Sequence, residues 1–186
     1  MGQDLADGEL LQLSNVSNHS FSETVYFDVI RKKTAALFAA CTEAAAYSVG
    51  VSEEEVKLAR LLGEYIGICF QIKDDIFDYF DSKEIGKPTG NDMLEGKLTL
   101  PVLYALNRAN DNQAAEIALK VKEGTATLAE IARLIAFTKE NGGIEYAVRT
   151  MNAYKQKAFG LLASLPDSAI CVALRSYLDY VVDREK

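Results

Sequence analysis

Proline is scarce: three residues in a chain of 186. Histidine occurs once and cysteine three times. So few prolines leave long stretches free of helix breakers. A single histidine, His19 in a polar lead-in, gives no basis for a Ser/His/Asp or Cys/His catalytic set. The cysteines (Cys41, Cys69, Cys171) are odd in number, far apart and form no CxxC, which fits a reduced, cytoplasmic protein. Cys41 and Cys69 read as core residues of apolar helix faces. Basic residues are outnumbered, 20 against 27 acidic, for a formal charge of −7. That balance argues against a nucleic-acid-binding domain. No apolar run reads as a membrane span or a signal peptide. The most apolar stretch near that length, Ala35 to Val51, carries Glu43 and ends beside Gly50.

What the chain does have is alanine, 24 residues, and a hydrophobic content of 49%. Its length suits one domain with a real core. Strong helix formers with few breakers predict an all-α fold. Ser20-Phe21-Ser22-Glu23 reads as a capping box opening a helix from about Thr24 to Val49, with Gly50 as its stop. Ser52-Glu53-Glu54-Glu55 opens a second, to about Phe80. A polar, Gly-rich stretch follows to Gly96, and Thr99 with Pro101 marks the next helix start. Further helices are expected at about 100–109, 112–123, 127–141, 143–164 and 167–183. Asn141-Gly142-Gly143 and Leu165-Pro166-Asp167 read as turns. At the other end, helical pattern is present at once, from Leu5-Ala6 to Leu10-Leu11, with no N-cap.

The most informative segment is Gly67-Ile68-Cys69-Phe70-Gln71-Ile72-Lys73-Asp74-Asp75-Ile76-Phe77-Asp78-Tyr79. On a helix Gln71, Asp74, Asp75 and Asp78 share one face, which Asp81 extends. Stacked like charges destabilise a bare helix. A solvated acidic face is the bland alternative, but the surroundings are strongly apolar. Buried carboxylates call for a cation, and oxygen donors without His or Cys favour Mg²⁺. Mg²⁺ takes one or two protein carboxylates and completes its shell with water and phosphate oxygens, so the implied ligand is a phosphate or diphosphate. Lys33-Thr34 in mid-helix, and Lys87 and Lys97 in the Gly-rich stretch, would neutralise such an anion. Neither Gly86-Lys87 nor Gly96-Lys97 has P-loop spacing, which excludes a Walker-type site.

These residues resemble the trans-polyprenyl diphosphate synthases. The likeness runs along the whole chain in order. It begins with Gly8-Glu9-Leu10-Leu11-Gln12 and Ile30-Arg31-Lys32-Lys33-Thr34-Ala35-Ala36-Leu37-Phe38. It continues through Phe70 to Tyr79, Gly86-Lys87-Pro88 and Asp92-Met93-Leu94-Glu95-Gly96-Lys97-Leu98-Thr99-Leu100-Pro101, and closes with Tyr180 to Lys186. The resemblance implies an all-α fold, the C-terminal portion of the isoprenoid synthase helical bundle without its N-terminal helices. Residues 1–186 are then the C-terminal part of a single polyprenyl synthase domain. The implied reaction joins isopentenyl diphosphate to an allylic diphosphate through Mg²⁺-assisted ionisation and gives an all-trans polyprenyl diphosphate. By resemblance, Asp74, Asp75 and Asp78 are metal ligands, with Asp74 the most direct. Lys33, Lys87 and Lys97 contact the allylic diphosphate, Thr34 and Gln71 face the allylic cation, and Phe70 lines the pocket.

One departure matters. The family carries two Asp-rich motifs, and no second DDxxD occurs here. The chain is therefore read as a truncated or split product, inactive by itself, whose uncovered apolar faces drive homo-oligomerisation. The alternatives are a non-catalytic subunit of a heteromeric synthase, a terpene cyclase and a helical interaction module. The intact acidic triplet disfavours the first. The second lacks its Asn/Ser/Glu metal motif.

Overall fold

The computed structural model describes residues 2–16, 20–80, 89–165 and 168–185, except the side chains at 3, 4 and 13–16. Among these residues the regular structure is entirely helical. The helices are α1 (Gly2–Val16), α2 (Glu23–Ile30), α3 (Ala36–Ser48), α4 (Glu53–Phe77), α5 (Asn91–Leu94), α6 (Leu100–Ala109), α7 (Asn112–Lys122), α8 (Leu128–Glu140), α9 (Gly143–Ala163) and α10 (Ala169–Asp183). A π-helical turn, Arg31–Ala35, joins α2 to α3.

Local chemistry sets the boundaries. Ser52 and Glu55 form the expected reciprocal cap of α4, with Ser52 N donating to Glu55 Oε2 at 2.9 Å and Glu55 N to Ser52 Oγ at 3.3 Å. Gly50 takes φ +72° after α3, the left-handed stop that glycine adopts without strain. Pro101 stands in the first turn of α6. The cap of α2 is displaced from its expected place. Ser22, not Ser20, accepts from Val25 N (3.3 Å). Thr127 and Glu130 form a further capping box, at α8.

The chain divides into two compact units. The first comprises Met1–Glu9, Asp28–Lys73 and Arg149–Lys186. Its core includes Ala35, Ile68, Cys69, Ile72, Leu162 and Leu178, all at most 1% exposed. Helix α4 approaches the α2–α3 segment closely, and two glycines permit it. A Cβ on Gly63 would stand 2.5 Å from the Phe38 carbonyl oxygen, and one on Gly67 would stand 2.6 Å from Ala35 Cα. Lys155 on α9 pairs with Asp179 on α10 at 2.7 Å.

The second unit comprises Leu10–Phe27 and Asp74–Val148. There α8 packs against α6 and α7, around Leu100, Val102, Ala118 and Leu134. Two side chains fasten the segment ahead of α2. Asn107 Nδ2 donates to the Phe21 carbonyl (2.9 Å), and the buried Lys122 ammonium donates to the Ser20 carbonyl (2.9 Å). Burial holds the Lys122 ammonium below the usual lysine range.

Two expectations need correction. The helix expected from Thr24 to Val49 is interrupted by the π turn. Cys41, expected in the core, is exposed, whereas Cys69 is fully buried. The Ala-rich run of α3 gives little contrast between faces, so its buried side is not marked by residue type. No described helix is long and apolar enough to cross a membrane.

Candidate functional site

In the first unit the π turn presents Lys33 and Thr34. A π turn shifts the helical register by one residue and re-aims the side chains it carries. It is approached by glycines on two sides: Gly67 against Ala35, and Gly8, whose Cβ would stand 2.9 Å from Lys32 Cβ and 3.0 Å from Lys33 N. Lys33 Nζ pairs with Glu9 at 2.7 Å. Thr34 Oγ1 donates to Gln71 Oε1 at 2.7 Å, so two residues 37 positions apart, singled out for one role, form a bonded pair. The Phe70 ring has two neighbours. The Phe38 ring lies 5.5 Å away, centroid to centroid, and the Arg184 guanidinium stands 4.3 Å from the Phe70 centroid. Arg184 also donates to the Phe70 carbonyl (3.2 Å). Burial, more than any neighbouring charge, pushes the Lys73 ammonium down.

In the second unit the carboxylates Asp74, Asp75 and Asp78 stand at the end of α4. The helix closes at Phe77, so Asp78 sits in the following turn. Asp78 ties this end to residues 90–92. Its carbonyl accepts from Gly90 N (2.9 Å). Its Oδ1 accepts from Asn91 N (2.9 Å) and its Oδ2 from Asp92 N (3.1 Å). The carboxylate thus caps the first turn of α5 from outside it. Gly90 is required in this turn: φ is +79°, and a Cβ would stand 2.8 Å from Ile131 Cγ2. Asp75 is 2% exposed, and its Oδ2 accepts from the Tyr26 hydroxyl at 2.5 Å. Burial first, and then Asp75, push the Tyr26 phenol well up, so it stays a donor at neutral pH. Protein donors therefore serve Asp75 and Asp78, which the sequence left to a cation.

Asp92 joins this group. Burial first, and then Asp78, push its carboxyl up to about 6, with Glu95 and Asp74 adding and Lys97 opposing. Lys97 pairs with Glu95. Tyr79, 1% exposed, has a hydroxyl with no hydrogen-bond partner among the described residues. Thr99 acts on it without reaching bonding geometry, and burial, Asp75, Asp78 and Asp92 all push it up. Lys87 lies outside the described residues, as do Asp81, Gly86 and His19.

The donors, carboxylate oxygens, are of the type that suits a hard divalent cation. Among the described residues no three His, Cys, Asp or Glu gather closely enough to cage a metal ion. Mg²⁺ seldom needs such a cage, holding one or two carboxylates and keeping several waters. The Asp92 carboxyl is raised first by burial and then by Asp78, so acidic groups are gathered at this end of α4.

Tyr26 and Asp92 carry much of this geometry, and the sequence marks neither strongly. Tyr26 resembles any helical aromatic, and its partner is 49 residues away. Asp92 lies in the Asp92–Pro101 motif, the one signal that could have drawn attention to it.

The family model described as Polyprenyl synthetase matches residues 1–138. The chain belongs to this family. An octaprenyl diphosphate synthase of Haemophilus influenzae is 38% identical over 97% of this chain and 55% of its own. The crystal structure of a geranylgeranyl pyrophosphate synthase from Bacteroides thetaiotaomicron matches with 80% identity and a TM-score of 0.95, covering 98% of this chain and 61% of that one. A polyprenyl synthase from Caulobacter crescentus, complexed with calcium and isoprenyl diphosphate, matches at 34% identity and a TM-score of 0.89, over 99% and 56% of the two chains. The chain spans roughly three-fifths or less of each relative's length.

Proposed function

We propose that this chain supplies the second Asp-rich motif of a trans-prenyltransferase, which condenses isopentenyl diphosphate with an allylic diphosphate to give an all-trans polyprenyl diphosphate. The observation that carries this reading is the carboxylate group at the end of α4, where Asp75 is buried against Tyr26 and Asp78 accepts from the Asn91 and Asp92 amides. The chemistry of the donors and the calcium in the Caulobacter relative support a divalent cation, and we assign Mg²⁺.

In this reading Asp74 is the most direct metal ligand, with Asp75 and Asp78 acting directly or through water. Bound Mg²⁺ supplies charge neutralisation for the departing diphosphate. Lys33, Lys87 and Lys97 bind diphosphate oxygens, which requires Lys33 to exchange Glu9 and Lys97 to exchange Glu95 for the anion. Thr34 and Gln71 hold their oxygens as a fixed, bonded pair of dipoles beside the allylic cation. Phe70, braced by Phe38 and Arg184, provides an apolar wall that excludes water. One Asp-rich motif does not complete the site, so the 186-residue chain is inactive by itself. The exposed Ile170, Tyr177 and Tyr180 of α10 support self-association.

Calorimetric titration of the chain with inorganic diphosphate tests this reading. Binding is expected with Mg²⁺ present and lost in EDTA or in Asp74→Ala. Equal binding with and without Mg²⁺ would overturn it.

A further inference from the structure

Asp75 differs from Asp78 in how it is held. Asp78 is fixed by backbone amides, whereas Asp75 accepts a hydrogen bond from a side chain, Tyr26 Oη. At 2.5 Å that bond has the length of a charge-assisted O–H···O⁻ contact. Both partners are buried, Tyr26 at 6% and Asp75 at 2% exposed, and a buried carboxylate depends heavily on such a donor. Packing alone would not require the oxygen, since phenylalanine fills the same space.

Tyr26 is itself held from several sides. Its ring meets Phe27 edge-on at 5.3 Å. Helix α6 ties the preceding segment through Asn107, and α7 does so through Lys122. Tyr146 on α9 donates to Glu23 Oε2 at the start of α2 (2.7 Å). Three helices thus fix the base of a short helix whose one buried hydroxyl ends on the acidic motif.

We propose that Tyr26 is a positioning residue: its hydroxyl fixes the Asp75 carboxylate in the orientation that a divalent cation carrying diphosphate requires. This rests on the proposed metal-ligand role of Asp74, Asp75 and Asp78. Groups that orient metal ligands typically change metal affinity by about 10–100-fold when removed.

The test is a Mn²⁺ titration of the 186-residue chain, with free Mn²⁺ counted by electron paramagnetic resonance, in the presence of inorganic diphosphate. Tyr26→Phe should weaken Mn²⁺ binding about 10-fold while leaving the helical circular dichroism intact. The same substitution placed on Asp75→Asn should weaken it no further. A folded Tyr26→Phe chain that binds Mn²⁺ like wild type overturns this inference alone. A wild-type chain that binds no Mn²⁺ overturns the proposed function, and the inference with it. If Tyr26→Phe does not fold, 3-fluorotyrosine placed at position 26 keeps the hydroxyl and reports by ¹⁹F resonance. Its signal should shift when Mg²⁺ and diphosphate are added, and an unmoved signal overturns the inference.

Discussion

Thr34 Oγ1 donates to Gln71 Oε1 at 2.7 Å and so joins the π turn to α4. The bond is partly buried. Thr34→Val keeps the shape and removes the donor. It should lower stability by about 1 kcal/mol, a typical net worth for such a bond. Urea unfolding of the two chains, followed by circular dichroism, measures the difference.

The glycines of α4 make a steric prediction. Gly67→Ala places a methyl 2.6 Å from Ala35 Cα, and backbone cannot rotate away as a side chain can. Overpacking of this kind costs about 1–3 kcal/mol. Gly160 in α9 has nothing within 4 Å of its Cβ position, so Gly160→Ala should stabilise by up to about 1 kcal/mol through helix propensity. Thermal melts of both variants should move in opposite directions.

Asp78 is tied by three bonds before any cation arrives. Asp78→Ala should therefore lower stability by about 1–2 kcal/mol in EDTA, the usual cost of a lost helix cap. A metal-ligand role alone predicts no loss in EDTA. Urea midpoints with and without Mg²⁺ separate the two contributions.

Glu130 gives a pH prediction. Lys120 first, and then Thr127, hold its carboxyl down at about 2, below the ordinary glutamate value of 4.5. A depressed acid stabilises the folded state above the unfolded value, and that stability is lost as pH falls through the folded value. The contribution should be complete above about 4.5 and fade toward about 2. Urea midpoints across that window should fall less steeply in Glu130→Gln than in wild type.

Much of the fold was legible because helix ends carry local chemistry. Ser52 with Glu55, Gly50 and Thr99 with Pro101 each marked a boundary that the structure keeps. The π turn was not legible. It adds one residue to the register, and Arg31–Ala35 contains no proline or glycine to mark it; its close neighbours are Gly8 and Gly67, in other helices. The acidic motif stood out by spacing, but its supports did not. Asp75 depends on a tyrosine 49 residues earlier, and Asp78 on backbone amides of a later turn. Long-range pairs of this kind leave no periodic trace.

The most direct measurement is prenyl transfer by the 186-residue chain, supplied with Mg²⁺, farnesyl diphosphate and labelled isopentenyl diphosphate, with products resolved by chain length. No product is expected from the chain alone, and product is expected once a segment bearing the first Asp-rich motif is added. Elongated product from the chain by itself would contradict the central claim that one Asp-rich motif leaves the site incomplete.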